Sequence, residues 1–446
     1  MKKSIYASII CLISGLLGFT SRAFPIDVKG VDTMATAVVI YDLTFNTPIV
    51  MRNADVPLIP ASIMKAVTSA SVLNLASSDE QFYTVVVAEG RIDGSTLKGN
   101  LVIKTTGDPT IESEHFPAAQ HFADSISAAL KARGITEIEG KVIVDETDFV
   151  HTGTPPGWMK EDLTWPYGTD LHGANYRDNK FILRMPSRTT VPHVPDLKIN
   201  HINRKAKARS VKRTDGSGTV TISGRIPSKG WSDRLSTPNP ASVMQYEVAK
   251  VIADSGITIQ GKSLDSHDQT TLIYTHISPS FGEILQSLMY RSDNLMAEGM
   301  LRSLTPGASR NDAIAEEMKI WRDKGVDLTG VKIEDGSGLS RNDRVTAQFM
   351  LDVLKSMLAI EYGSDYTSLF PRAGYDGTMR NTFIDTPLEG VTALKTGSMK
   401  GVRSFAGYHF NESGQPSHII IVISNNLKCS GPALKKGIES LLLEYF

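Results

Sequence analysis

Pro60-Ala61-Ser62-Ile63-Met64-Lys65-Ala66-Val67-Thr68-Ser69-Ala70-Ser71-Val72-Leu73-Asn74-Leu75 is the stretch on which the fold turns. Residues 61–76 are predicted as a helix, and Ala66, Val67, Ala70, Val72 and Leu73 place small or apolar side chains on more than one side of it. Such a helix belongs inside a core and not on a surface. Ser62 and Lys65 stand three residues apart near its start, so they project from one face and the amine reaches the hydroxyl. An apolar strand pattern at 35–42 precedes the helix through a turn that ends in Pro57-Leu58-Ile59-Pro60.

Downstream the texture changes. Between 83 and 276, short β-branched runs at 83–87, 101–104, 141–144 and 219–222 are separated by Gly and Pro, which predicts a β-leaning insertion with a few helices. Its basic run at 198–213 is either a solvated face or a ligand patch. Helical patterns return at 281–304, 313–324 and 347–358. Strand-like runs at 391–394, 402–410 and 418–424 then lead to a last helix at 433–445. A strand, a buried helix, a long insertion, more helices and closing antiparallel strands predict an α+β domain split by another.

The chain has 446 residues, 41% hydrophobic and 21% charged, with 47 Lys+Arg against 48 Asp+Glu and a formal charge of −1. That balance argues against a general nucleic-acid binder, whose phosphate contacts leave a basic excess. Lys2-Lys3, an apolar run at 5–19 and Ser21-Arg22-Ala23 have the form of a secretory signal peptide cleaved after Ala23. An uncleaved anchor is the alternative, but the run is short for a membrane span and is interrupted by Ser and Gly. Ile10 stands where lipidation at Cys11 would want a small residue. Cleavage leaves Cys429 as the one cysteine, so no intrachain disulfide is expected, and takes the formal charge from −1 to −4. The expectation is an exported, periplasmic protein with no stable membrane span.

The ten histidines show no helical pairing of the kind that holds a metal, and HExxH and CxxC are missing, so neither a metal nor an organic cofactor is expected. What the sequence does contain is Ser62-Ile63-Met64-Lys65, then Ser292-Asp293-Asn294 between helical segments, then Lys395-Thr396-Gly397-Ser398 on a late strand. Each alone is weak. Ser95 and Lys98 make a second SxxK, and Ser309/Asn311, Ser340/Asn342 and Ser424/Asn426 make further SxN matches, whereas KTG occurs once. Order and context carry the reading. Burial and a second cation at Lys395 would both favour a neutral Lys65 amine able to act as a base. The backbone N–H groups of Ser62, at the positive end of a helix, and of Ser398 are the expected oxyanion donors. Ser292 can relay a proton to a leaving amine and Asn294 can hold the substrate peptide. Lys395 and Thr396 can hold a terminal carboxylate, on a strand through Gly397 able to pair with an extended substrate.

With PASIMKAVTSASVLNL, TTGDPT from Thr105, VDETDF from Val144, SDNLMAE from Ser292, DGSGLSR from Asp335, AGYDGTMRN from Ala373 and KTGSMKGVRSFAGY from Lys395, the chain resembles the class C low-molecular-mass penicillin-binding proteins. These are the D-alanyl-D-alanine carboxypeptidase/endopeptidase family of serine peptidases. The resemblance implies an antiparallel sheet flanked by helices, a penicillin-binding transpeptidase-like domain from 24–83 and 275–446. A mostly β insertion from 84–165 and 232–274 would split it and carry a smaller nested domain at 166–231. It implies catalysis by Ser62, Lys65, Ser292, Asn294 and Lys395, substrate binding by Thr396 and Gly397, peptidoglycan stem peptides as substrates and β-lactam antibiotics as inhibitors. Asp145 and Arg341 match positions that face the substrate's side chain; their alternative readings are a turn residue and a surface ion pair. Thr382 and Lys400 depart from the family's usual Arg and Gln. The rival functions are a β-lactamase-like hydrolase, marked by fast deacylation although no deacylating glutamate is evident, and a non-catalytic wall-binding scaffold, against which the intact trio argues.

Overall fold

The computed structural model describes residues 24–203, 209–213, 218–264 and 269–446, so residues 1–23, expected to be a signal peptide, and part of the basic run lie outside the described residues. Its centre is a five-stranded antiparallel sheet in the order Thr392–Met399, Val402–Phe410, Pro416–Ser424, Thr36–Asp42, Thr47–Arg52. The first strand of the chain thus lies beside the last, pairing Thr36 with Ser424 and Asp42 with His418.

Alternation along the strands assigns the two faces. Val39, Tyr41, Ala393, Ala406, Tyr408, Ile419, Ile421 and Ile423 join the core built with Val67, Ala70, Leu285, Met300, Trp321 and Phe349 from the helices. Val38, Ile40, Leu394, Phe405, Ile420 and Val422 face the opposite way, against Ile26 and the closing helix Gly431–Leu442 with its Leu434, Ile438 and Leu441. Both faces are covered, which is why the strands read as nearly continuous apolar runs.

The 60–75 stretch is buried as its composition demands, but not as one α-helix. Ala61–Ile63 is a 3-10 turn and the α-helix is Met64–Leu75, with Met64 through Leu73 buried. Pro60 and the left-handed backbone of Ala61 (φ 49°) set the tighter entry. Ser62 therefore sits one turn ahead of the helix proper.

The insertion is built on a hairpin, Tyr83–Asp93 with Thr96–Lys104. Thr270–Ile277 pairs antiparallel with the first strand, and Glu137–Ile138 and Val142–Asp145 pair parallel with the second. Helices Phe122–Ala132 and Pro240–Asp254 bury Phe122, Ile126, Val243 and Val248 against Val86, Leu101 and Ile103. Two small three-stranded sheets are nested inside it: Lys180–Met185, Thr189–Val191 and Trp231–Ser236, and Lys198–Ile202, Ser210–Arg213 and Thr219–Ser223. The breaks expected at 231/232 and 274/275 fall inside the strands Trp231–Ser236 and Thr270–Ile277. The architecture is α+β, a helix-flanked sheet with further β structure inserted between its first helix and the rest.

Candidate active site

Three elements converge on one cleft. The turn before Met64–Leu75 delivers Ser62, and the first turn of that helix delivers Lys65. Helix Phe281–Arg291 opens with a Ser280/Glu283 capping box and ends at Ser292, whose left-handed backbone (φ 61°) turns the chain out. Asp293 then caps helix Asn294–Arg302 by accepting from the Met296 N–H. Ser-Asp-Asn is thus a helix stop joined to a helix start. The edge strand Thr392–Met399 delivers Lys395 and Thr396.

The contacts bind the three together. Lys65 Nζ donates to Asn294 Oδ1 (2.6 Å), to the Ser337 carbonyl (2.7 Å) and to Ser62 Oγ (3.3 Å). Lys395 Nζ donates to Ser292 Oγ (3.0 Å) and to the Thr396 carbonyl (2.8 Å). Thr396 Oγ1 donates to Thr378 Oγ1, and Asn294 Nδ2 to the Tyr167 carbonyl of the insertion, at 2.7 Å. Both lysines are fully buried. Burial lowers Lys65 to about 8, against the opposing pull of Asp335, Asp293 and Glu298. Burial and then the Lys65 charge push Lys395 well below the usual lysine range.

Gly397 lets the edge strand and the nucleophile's turn touch. A Cβ there would collide with Ser404 Oγ and lie 2.9 Å from the Pro60 carbonyl and 3.0 Å from the Ser62 nitrogen. Ser404, opposite it on the neighbouring strand, donates its hydroxyl to the Pro60 carbonyl. Ser398 is exposed at the cleft edge. A hydroxyl beside a readily neutralised amine, a second amine–hydroxyl pair and an edge strand that runs on past its bridge to Arg372 together suit acyl transfer from an extended peptide.

Arg341 reaches the end of the same strand, where its guanidinium donates to the Lys400 carbonyl at 3.4 Å. Asp145 is placed otherwise: its carboxylate accepts from Thr147 N and Oγ1, and its described hydrogen bonds do not reach the trio. The competing motif matches are used structurally. Lys98 pairs with Asp93 in a hairpin, Ser309 caps a helix, Ser340 and Asn342 bond to Glu334, and Asn426 donates to Asp32. Gly256-Ile257-Thr258-Ile259-Gln260-Gly261-Lys262 has the spacing of a phosphate-binding loop, but it follows helix Pro240–Asp254 and pairs Thr258–Ile259 with Glu137–Ile138. No strand-to-helix turn is formed there.

Glu298 was missed at the level of sequence. Its Oε1 accepts from Gly336 N (3.1 Å) and Ser337 N (3.0 Å), which fixes the carbonyl that receives Lys65. Asp335 accepts from Gly338 N, Ser340 N and Trp158 Nε1, tying the same turn to the insertion. The available signal was a carboxylate four residues after Asn294, on one helix face in an otherwise apolar segment.

Residues 27–444 match the model of the D-Ala-D-Ala carboxypeptidase 3 (S13) family, and the chain belongs to that family. It is 26% identical over 449 residues to the D-alanyl-D-alanine carboxypeptidase of Actinomadura sp. (strain R39), covering 92% of this chain and 81% of the relative. The crystal structure of penicillin binding protein 4 (dacB) from Haemophilus influenzae superposes with a TM-score of 0.79 at 22% identity, over 94% of this chain and 98% of the other. The same Haemophilus protein complexed with a β-lactam superposes with a TM-score of 0.75 at 23% identity, over 94% and 97%.

Proposed function

We propose that the protein is an exported serine-type D-alanyl-D-alanine carboxypeptidase, with DD-endopeptidase capacity, acting on peptidoglycan stem peptides through an acyl-enzyme on Ser62. The observation that carries the reading is Lys65 Nζ held between Ser62 Oγ and Asn294 Oδ1 while Lys395 holds Ser292. Neutral Lys65 takes the proton of Ser62 Oγ as that oxygen attacks the carbonyl of the penultimate D-alanine. The Ser62 and Ser398 N–H groups receive the oxyanion. Ser292, backed by Lys395, passes a proton to the departing amine, and water then hydrolyses the ester. Lys395 and Thr396 receive the terminal carboxylate, whose charge supplies the counter-ion that burial withholds from Lys395. A β-lactam presents a strained amide and a carboxylate in the same relation and acylates the same oxygen. Its slow release from Ser62 would make it an inhibitor. Export rests on the leader at 1–23; among the described residues no helix is long and apolar enough to cross a membrane.

D-alanine release from a synthetic pentapeptide tests the reading. Ser62→Ala is expected to lower it at least about 10³-fold, and unchanged release would refute the mechanism. The base must be neutral, so acylation by wild type is expected to rise with pH and level off above about 8. A rate that falls across that range would exclude Lys65 as base.

A further inference from the structure

Between the strands Val142–Asp145 and Lys180–Met185 the described secondary structure consists of short 3-10 turns, and this excursion reaches the catalytic cleft. Besides the Tyr167 carbonyl on Asn294, its Gly157 N–H donates to Glu334 and its Gly157 carbonyl accepts from Arg341 N. His151 and His172 stand at the two ends of that reach, far apart in sequence but stacked, with ring centroids 4.8 Å apart and planes inclined by 27°. Asp170 Oδ2 lies 2.9 Å from His151 Nε2, while its Oδ1 accepts from Leu171 N. The ring nitrogens of His172 have no hydrogen-bond partner among the described residues. One ligand atom from each of the three residues lies within 4.8 Å of the other two. The group opens on a cavity of about 740 Å³ also lined by Glu146, Phe149 and Lys198, with room for water.

Two imidazoles and a carboxylate are the donor set of a zinc-type ion, and the stacked rings bring their nitrogens together without a donor to bridge them. A tetrahedral ion at about 2.0–2.2 Å from its ligands holds them about 3.3–3.6 Å apart, so His151 and Asp170, at 2.9 Å, part slightly and His172 closes by no more than about 1.5 Å to complete the set. Glu146, on the same cavity wall, accepts from Ala174 N and adds negative charge beside both rings. Arg310 lies 3.8 Å from Asp170 Oδ1, the oxygen turned to Leu171 N, and not from the oxygen that faces His151. A second grouping, Glu114, His115 and Asp178, is engaged elsewhere, since both carboxylates pair with Lys180 and Asp178 accepts from Ser113.

We propose that His151, Asp170 and His172 bind one divalent transition-metal ion of the zinc class, with a remaining position open to water from the cavity, and that the ion clamps the two ends of the 151–172 excursion over the cleft. Calorimetric titration of the full mature chain with Zn²⁺ tests this. One equivalent is expected to bind wild type, with affinity at least about 100-fold weaker in His172→Ala and in His151→Ala. Zn²⁺ is expected to slow hydrogen exchange across 151–172 in wild type and not in either variant. Ser62→Ala should bind Zn²⁺ like wild type, so failure of the catalytic reading and failure of this one are distinguishable. No binding to wild type, equal binding to His151→Ala or His172→Ala, or binding without protection of 151–172 would overturn the proposal.

Discussion

Lys65→Met lowers D-alanine release and acylation by benzylpenicillin by about 10²- to 10⁴-fold, the range for loss of a positioned general base. Methionine matches the burial and approximate length of lysine, so the side chain stays packed in the fully buried site. What is lost is the amine that Ser62 needs, together with the donor to Asn294 Oδ1 and the Ser337 carbonyl. Leaving two acceptors without their donor costs about 1–3 kcal/mol each. Cooperative thermal unfolding and an unchanged far-UV spectrum are therefore the control that separates a lost base from a lost fold. A folded Lys65→Met variant within tenfold of wild type would remove Lys65 from the chemistry and leave Lys395 as the remaining base.

Gly397→Val is the second large effect, and it touches no titratable group. The new side chain would meet Ser404 Oγ, the Pro60 carbonyl and the Ser62 nitrogen, pushing the edge strand off the turn that carries the nucleophile. Displacement of reacting groups by about 1 Å costs about 10²-fold in rate. We expect at least that loss in acylation, accompanied by lower thermal stability, because the new side chain also meets Ser404, its register partner on Val402–Phe410. Acylation at the wild-type rate in this variant would mean that the strand and the nucleophile are not coupled through Gly397.

The residues to which we assign the chemistry could be picked out as a group because their geometry is local. Ser62 and Lys65 need only one helical turn to meet, Ser292 and Asn294 only a helix stop and start, and Lys395 to Ser398 only a strand. The strands at 35–42 and 418–424 were legible in the same way, as apolar runs, and the structure covers both of their faces. Tertiary placement was not. Glu298 acts on Lys65 through the carbonyl of Ser337, thirty-nine residues further on, and nothing in the sequence spacing joins them. The Asp145 carboxylate closes a turn with Thr147, a role its sequence position also allowed. His151 and His172 look unrelated as a string and stack only because the chain between them leaves and returns. The nested sheets were the least readable part. Their strands are short, and Lys198–Ile202 pairs in parallel with Thr219–Ser223 across a connection whose length no local pattern sets.

The most direct test of an acyl-enzyme on Ser62 is intact-protein mass spectrometry of the mature chain and of Ser62→Ala, followed over time with benzylpenicillin. A single persistent adduct is expected on wild type and none on the variant. An adduct that disappears as drug is turned over would instead place the protein with the β-lactamases, and an adduct on both proteins, or on neither, would contradict Ser62 as the nucleophile.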